Sequence, residues 1–145
     1  MPKSVAEKMS TPAKPEVKLI KRPISASFPA GEMLIATPRV IDKAVRSIKK
    51  GKVISVLDLR ERLAKQFEAD YTCPLTTGIF LRIVAENAEL ERSRGAQRVA
   101  PYWRVVQKDG SLNPKFPGGV NAQARKLRAE GVKVVTKGAK LKVAI

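Results

Sequence analysis

A mainly α fold closed by a small C-terminal β-hairpin is what the sequence predicts, in a winged-helix-like helix-turn-helix arrangement. Three observations predict it. Four segments place helix-starting residues ahead of an apolar stripe at helical spacing, and two of those segments follow one another across a short turn. The C-terminal stretch alternates apolar with polar residues around Lys137-Gly138. The length, 145 residues, suits one domain with at most an appendage.

Residues 1–36 read as a flexible basic tail ahead of a domain spanning 37–145. Pro2, Pro12, Pro15, Pro23 and Pro29 interrupt the segment, lysines are scattered through it, and no period lasts. Such a chain buries too little apolar surface to offset its ordering entropy. It serves either as a solubilising tail or as a basic arm lying on nucleic acid. The first helix is predicted at about 38–50, with Thr37 as N-cap, Pro38 in the first turn and Gly51 as stop. Val40, Ile41, Ala44, Val45 and Ile48 form its apolar stripe.

Gly51 to Ile54 is a short extended link. Ser55 caps a second helix, with Asp58 three positions on and Leu59, Leu63 and Phe67 along the buried edge. Glu68-Ala69-Asp70 is a turn. A third helix, capped by Thr72 or Cys73, runs from Pro74 to about residue 88, with Ile79, Phe80, Ile83, Val84 and Ala88 inward and Thr76, Thr77, Arg82 and Asn87 outward. In a helix-turn-helix the N-terminal part of that second partner enters the major groove. A charged loop is expected over 89–98 and an apolar stretch over 99–107. A turn follows at 108–111, then a tight Pro/Gly loop at 114–119. A helix at about 120–130 and the hairpin strands 132–136 and 139–145 complete the chain.

Charge narrows the function. Lys and Arg number 29 and Asp and Glu 13, with no histidine, for a net charge of +16. The isoelectric point is about 10.4. An excess of this size points to polyanions, nucleic acid before an anionic membrane surface. Residues 98–145 carry 11 basic and 2 acidic side chains, so the positive field centres on the C-terminal third. A single cysteine excludes an intramolecular disulfide framework, and the lack of histidine excludes histidine triads and Cys/His zinc sites. No apolar run approaches the ~18–20 residues of a membrane span, and the N-terminus lacks the pattern of a signal peptide. The expectation is a cytoplasmic protein, nucleoid-associated in a bacterium, monomeric, without metal or cofactor.

One constellation is more specific. Pro101-Tyr102-Trp103-Arg104-Val105-Val106 is followed by Asp109-Gly110, then Phe116-Pro117-Gly118-Gly119, then Leu127-Arg128-Ala129-Glu130-Gly131. In order and spacing this resembles the DNA-binding domain of the O6-alkylguanine-DNA alkyltransferases and their cysteine-less alkyltransferase-like relatives. Gly51 to Ser55 looks like the family's link into its helix-turn-helix, and residues 74–88 fall where its recognition helix lies. The resemblance covers about 37–137. It implies the C-terminal alkyltransferase fold, double-stranded DNA as partner, and DNA-repair proteins as further partners.

The departures shape the functional expectation. The family's acceptor cysteine corresponds to Tyr102 and its relay histidine to Trp103, while Glu130 matches the relay glutamate. A phenol with a pKa near 10 is protonated at neutral pH and is a far poorer nucleophile than a thiolate. The family's inserted arginine corresponds to Gly78, with Arg82 about one turn later. Its phosphate-turning tyrosine corresponds to Val56, its pocket tyrosine to Phe116, and the residue after its hinge asparagine (Asn87 here) to Ala88. The resemblance implies a base pocket bounded by Tyr102, Trp103, Arg104, Phe116, Gly118 and Gly119. Tyr102 and Trp103 would stack on a base or form a core aromatic pair. Arg104 would contact the pocket or tie its strand to a neighbouring loop. Gly118 and Gly119 would hold a phosphate on free N–H groups or supply a permissive turn.

DNA contacts are expected from Thr76, Thr77, Arg82, Lys115 and Arg125, with Thr77 altering preference among sites. The expected function is non-enzymatic: DNA binding that senses alkylated or distorted bases and assists repair. Two alternatives stand beside it. One is an architectural DNA- or RNA-binding protein without lesion recognition. The other is a methyl acceptor using Cys73 at a helix N-terminus, or Tyr102. A membrane role is disfavoured, because no helix pairs a Lys/Arg face with an aromatic-rich one.

Overall fold

Capping chemistry sets most helix starts. In the computed structural model, which describes residues 3–144, the Thr37 side chain accepts from the Val40 N–H and Ser55 does the same for Asp58. Each satisfies an amide with no partner inside the helix. The described residues hold five α-helices and three small sheets. The helices are α1 (Val5–Met9), α2 (Pro38–Arg46), α3 (Val56–Gln66), α4 (Pro74–Ser93) and α5 (Gly119–Ala129). α2 stops four residues before its expected end, and Ser47–Gly51 form a turn. α4 runs five residues further than expected, into the segment read as a loop. None of these helices is long and apolar enough to cross a membrane.

Residues 3–36 are not a flexible tail, which corrects the expectation for 1–36. Ser4 caps α1, and Met9 at its end is buried in the main core. β1 (Glu16–Ile20) and β2 (Gly31–Ile35) form an antiparallel hairpin, and β2 continues the sheet in parallel with β4 (Tyr71–Thr72). The Asp70 carboxylate accepts from the Glu32 N–H at 2.8 Å, and the Tyr71 hydroxyl donates to the Pro29 carbonyl at 2.9 Å. Long-range pairing and burial of Ile20, Met33 and Leu34 offset the ordering entropy. Pro12, Pro15, Pro23 and Pro29 fall between elements, where their missing N–H costs nothing.

The main core joins both halves of the chain. Leu34, Ile41, Val45, Leu59, Leu63, Leu81 and Val84 are essentially inaccessible to solvent. Burial of each such side chain is worth about 1.5–3 kcal/mol. β3 (Ile54–Ser55) pairs in parallel with β5 (Val105–Val106), which brings the start of α3 beside residues 102–106. The predicted hairpin forms as β6 (Val134–Lys137) and β7 (Lys140–Val143). It docks through backbone bonds: the Leu112 N–H donates to the Leu141 carbonyl at 3.1 Å, and the Val143 N–H to the Gly110 carbonyl at 2.9 Å.

Candidate nucleic-acid interface

Tyr102, Trp103 and Arg104 form a single 3₁₀ turn ahead of β5. Tyr102 is 1% exposed and Phe116 3%. Their rings meet edge to face with centroids 5.1 Å apart, and Tyr102 meets Trp103 the same way at 5.3 Å. The Tyr102 hydroxyl donates to Glu89 Oε2 at 2.7 Å. Burial, followed by the bond and charge of Glu89, pushes the phenol far above its ordinary pKa. For Glu89, burial opposes ionisation. Hydrogen bonds from Tyr102 and Arg92 and the charges of Lys126 and Arg92 outweigh it and hold the carboxyl below its usual range. The position of the expected acceptor is therefore a neutral phenol, closed off and engaged. It is the opposite of an activated nucleophile.

The expected base pocket is corrected at Tyr102 and Phe116: both rings are buried in the main core. Trp103 is half-buried and donates from Nε1 to Glu130 Oε1 at 3.1 Å. Arg104 is a structural tie. It grips both Glu130 oxygens, at 2.9 and 2.6 Å, and donates to the Ile48 carbonyl. Burial opposes ionisation of Glu130. The bonds from Arg104 and Trp103 and the charges of Arg104 and Lys50 prevail and lower its pKa. Gly118 and Gly119 both have positive φ, +79° and +74°. A Cβ on Gly118 would stand 2.6 Å from the Ala122 Cβ, so this turn requires glycine for space as well as conformation.

Two residues missed in the sequence hold the cluster together. Glu89 lies on the unforeseen last turn and a half of α4. Gln123, buried on α5, accepts from the Asn113 N–H and donates to the carbonyls of Trp103 and Val105. It clips the 3₁₀ turn and the 113–116 loop to one helix. Its place on the inward face of α5, beside Ala124 and Leu127, was the available signal.

α4 is rotated relative to the expected phase. Thr77 is fully buried, and its hydroxyl donates to the Cys73 carbonyl at 2.7 Å. This corrects its expected role as a base-reading residue. Thr76 is half-buried, and its hydroxyl oxygen is closed off from solvent without a partner among the described residues, which corrects its expected role as a DNA contact. Leu75 and Ile79 face outward instead, 64% and 49% exposed. With Gly78 and Arg82 they make a stripe at i, i+3, i+4, i+7. The stripe lines one wall of a groove of about 360 Å³, and Val105, Gln107, Pro114 and Lys115 line the other. Arg82 is largely exposed and pairs with Glu86 at 3.4 Å. Lys115 and Arg125 are exposed, and Arg125 does not line the groove. Cys73 is buried against Ile20 and Met33, away from the aromatic cluster. No cluster of metal-ligating side chains occurs among the described residues.

No protein-family model and no curated protein matches the chain. Two solved structures do resemble it. The crystal structure of S. pombe ATL in complex with DNA aligns at a TM-score of 0.47 and 16% identity, over 74% of this chain and 87% of that one. The crystal structure of S. pombe Atl1 in complex with damaged DNA containing O6-carboxymethylguanine aligns at a TM-score of 0.51 and 17% identity, with the same coverage. The chain thus has an α/β fold similar to that of the alkyltransferase-like protein Atl1.

Proposed function

We propose that the chain is a non-enzymatic protein that binds duplex DNA, senses alkylated or distorted bases and assists their repair. One observation carries the reading: on a fold similar to that of an Atl1 solved with damaged DNA, Tyr102, which the sequence resemblance sets at the acceptor position, is buried and engaged by Glu89. The helix-turn-helix pair α3–α4 supplies the gripping element. The groove along Leu75, Gly78, Ile79 and Arg82 faces the duplex, with Lys115 on its far wall and Arg125 as an outer phosphate contact. Net charge supports a binding energy dominated by phosphate neutralisation. The test is affinity for matched duplexes with and without an O6-alkylguanine, at low and at moderate salt. Tighter binding to the alkylated duplex at both supports the reading.

A second reading is favoured by the burial of Tyr102 and Phe116, whose rings pack on each other and present almost no surface to a base. In it the protein is an architectural nucleic-acid binder without lesion preference. Equal affinity for the two duplexes selects it.

A further inference from the structure

The N-terminal sheet ends on an open edge. In a strand, alternate residues turn their N–H and C=O groups to opposite sides. On β2 the Leu34 carbonyl accepts from the Cys73 N–H and the Glu32 carbonyl from the Asp70 N–H, each at 2.8 Å, so these two residues bond toward β4. Gly31, Met33 and Ile35 therefore bond toward β1, where they face Ile20, Lys18 and Glu16. The backbone groups of Val17 and Leu19 are left pointing outward. No strand among the described residues pairs with that side of β1. The Val17 and Leu19 side chains are 44% and 59% exposed.

A bare edge pairs with other chains, and folded proteins blunt it with charge and proline. β1 carries both, in an arrangement that opposes most self-pairings and favours one. Two copies related by a two-fold axis meet edge to edge as antiparallel strands. Centred on Lys18, the pairing sets Lys18 against Lys18; centred on Glu16, it sets Glu16 against Glu16. Centred on Leu19, it sets Lys18 against Ile20 and Val17 against Lys21. Centred on Val17, it sets Glu16 against Lys18 on both sides of the axis, and neither residue has an ion pair among the described residues. Val17 then exchanges both backbone bonds with its counterpart, and the Leu19 N–H reaches the Pro15 carbonyl of the second copy. On the face shared with Leu34, Val17 meets Val17 and Leu19 meets Pro15, so the exposed hydrocarbon is covered. We infer that β1 binds β1 of a second copy of this chain, antiparallel and centred on Val17, and joins two three-stranded sheets into one. The interface is separate from the α4 groove and does not rest on the DNA reading.

The test is sedimentation velocity of the full chain without nucleic acid, from micromolar to submillimolar concentration. Each copy carries +16 and the copies repel at long range, so moderate salt is used to screen that repulsion. The expected result is a concentration-dependent monomer–dimer equilibrium. Glu16→Lys and Lys18→Glu each make both cross-strand pairs repulsive and are expected to weaken the dimer about tenfold or more. The double variant, which exchanges the two charges, is expected to return to within about threefold of wild type. Both positions are exposed, so the fold tolerates the changes. Cross-linking with a short bismaleimide reads the register, since the native Cys73 is buried. Val17→Cys is expected to give covalent dimer and Leu19→Cys none, because the offset holds Leu19 about 14 Å from its counterpart. A monomer at every concentration would overturn the pairing. A monomer that instead binds a synthetic peptide alternating valine with aspartate would overturn it too, and would assign the edge to an acidic partner. A dimer indifferent to both charge changes, or cross-linked through Leu19→Cys alone, would overturn this interface.

Discussion

The Tyr102 hydroxyl donates to Glu89 Oε2 at 2.7 Å, and Lys126 Nζ stands 3.5 Å from that same oxygen. The contact joins the 3₁₀ turn to the end of α4, while Lys126 brings in α5. Tyr102→Phe is expected to cost about 1–3 kcal/mol in urea unfolding, because the half-buried carboxylate loses a donor it cannot replace. Duplex affinity is expected to stay within about twofold, since the ring still packs against Phe116.

The same contact sets an alkaline limit. The phenol pKa is raised in the folded state, so its stabilisation is full below the unfolded value near 10 and is lost as pH rises beyond it. The stability difference between wild type and Tyr102→Phe is therefore expected to shrink above about pH 10. Paired denaturation curves across that range measure it.

Glu130 sets the acid limit. Its pKa is lowered in the fold, so its contribution is full above the unfolded value near 4.3 and is lost as pH falls through the folded one. Glu130→Gln is expected to cost about 3 kcal/mol at pH 7, because Arg104, with its side chain only 12% exposed, loses its anion. It should also flatten the loss of stability below about pH 4.5. Thermal unfolding from pH 3 to 7 tests both, and an unchanged acid slope would assign that slope to other carboxylates.

Thr77→Val is expected to cost about 1 kcal/mol and to leave sequence preference untouched, because its hydroxyl bonds the Cys73 carbonyl inside the core. A changed site preference with unchanged stability would restore Thr77 as a base-reading residue.

Lys115→Ala and Arg82→Ala are expected to weaken binding to all duplexes by similar factors. If each side chain meets one phosphate, each change lowers the slope of log K against log salt by about 0.9. With ~5–8 phosphate contacts the wild-type slope is about −4 to −7. Fluorescence anisotropy at four salt concentrations resolves the difference.

Local signals in the chain were read correctly where their cause was local. Thr37 and Ser55 cap α2 and α3 through hydroxyls three residues from the amides they satisfy. The hairpin turns one residue later than expected, at Gly138-Ala139, with Gly138 at φ +64° and Lys137 still paired with Lys140. What escaped depends on distant partners. β2 pairs with β1 along its length, and Tyr71 and Thr72, nearly forty residues on, tie that hairpin to the rest of the fold. Residues 3–36 therefore looked like a tail. On α4 the mistake was one of rotation: hydrophobicity pointed Ile79 inward and Thr77 outward. Packing prefers the run Thr77, Leu81, Val84, Ala88, and Thr77 satisfies its hydroxyl within its own helix. At the candidate site, Tyr102, Trp103, Arg104 and Glu130 were named from their order in the chain. Their bonds were not, because Glu130 meets Trp103 and Arg104 from 27 and 26 residues away, and Glu89 and Gln123 reach the turn from helices 13 and 20 residues away.

The account turns on a duplex grip without alkyl transfer. Native mass spectrometry of the protein mixed with an equimolar O6-methylguanine duplex reads both halves at once. The expected spectrum holds a protein–duplex complex that releases protein of unchanged mass when activated. Protein released with an added methyl group, or no complex at low salt, would contradict it.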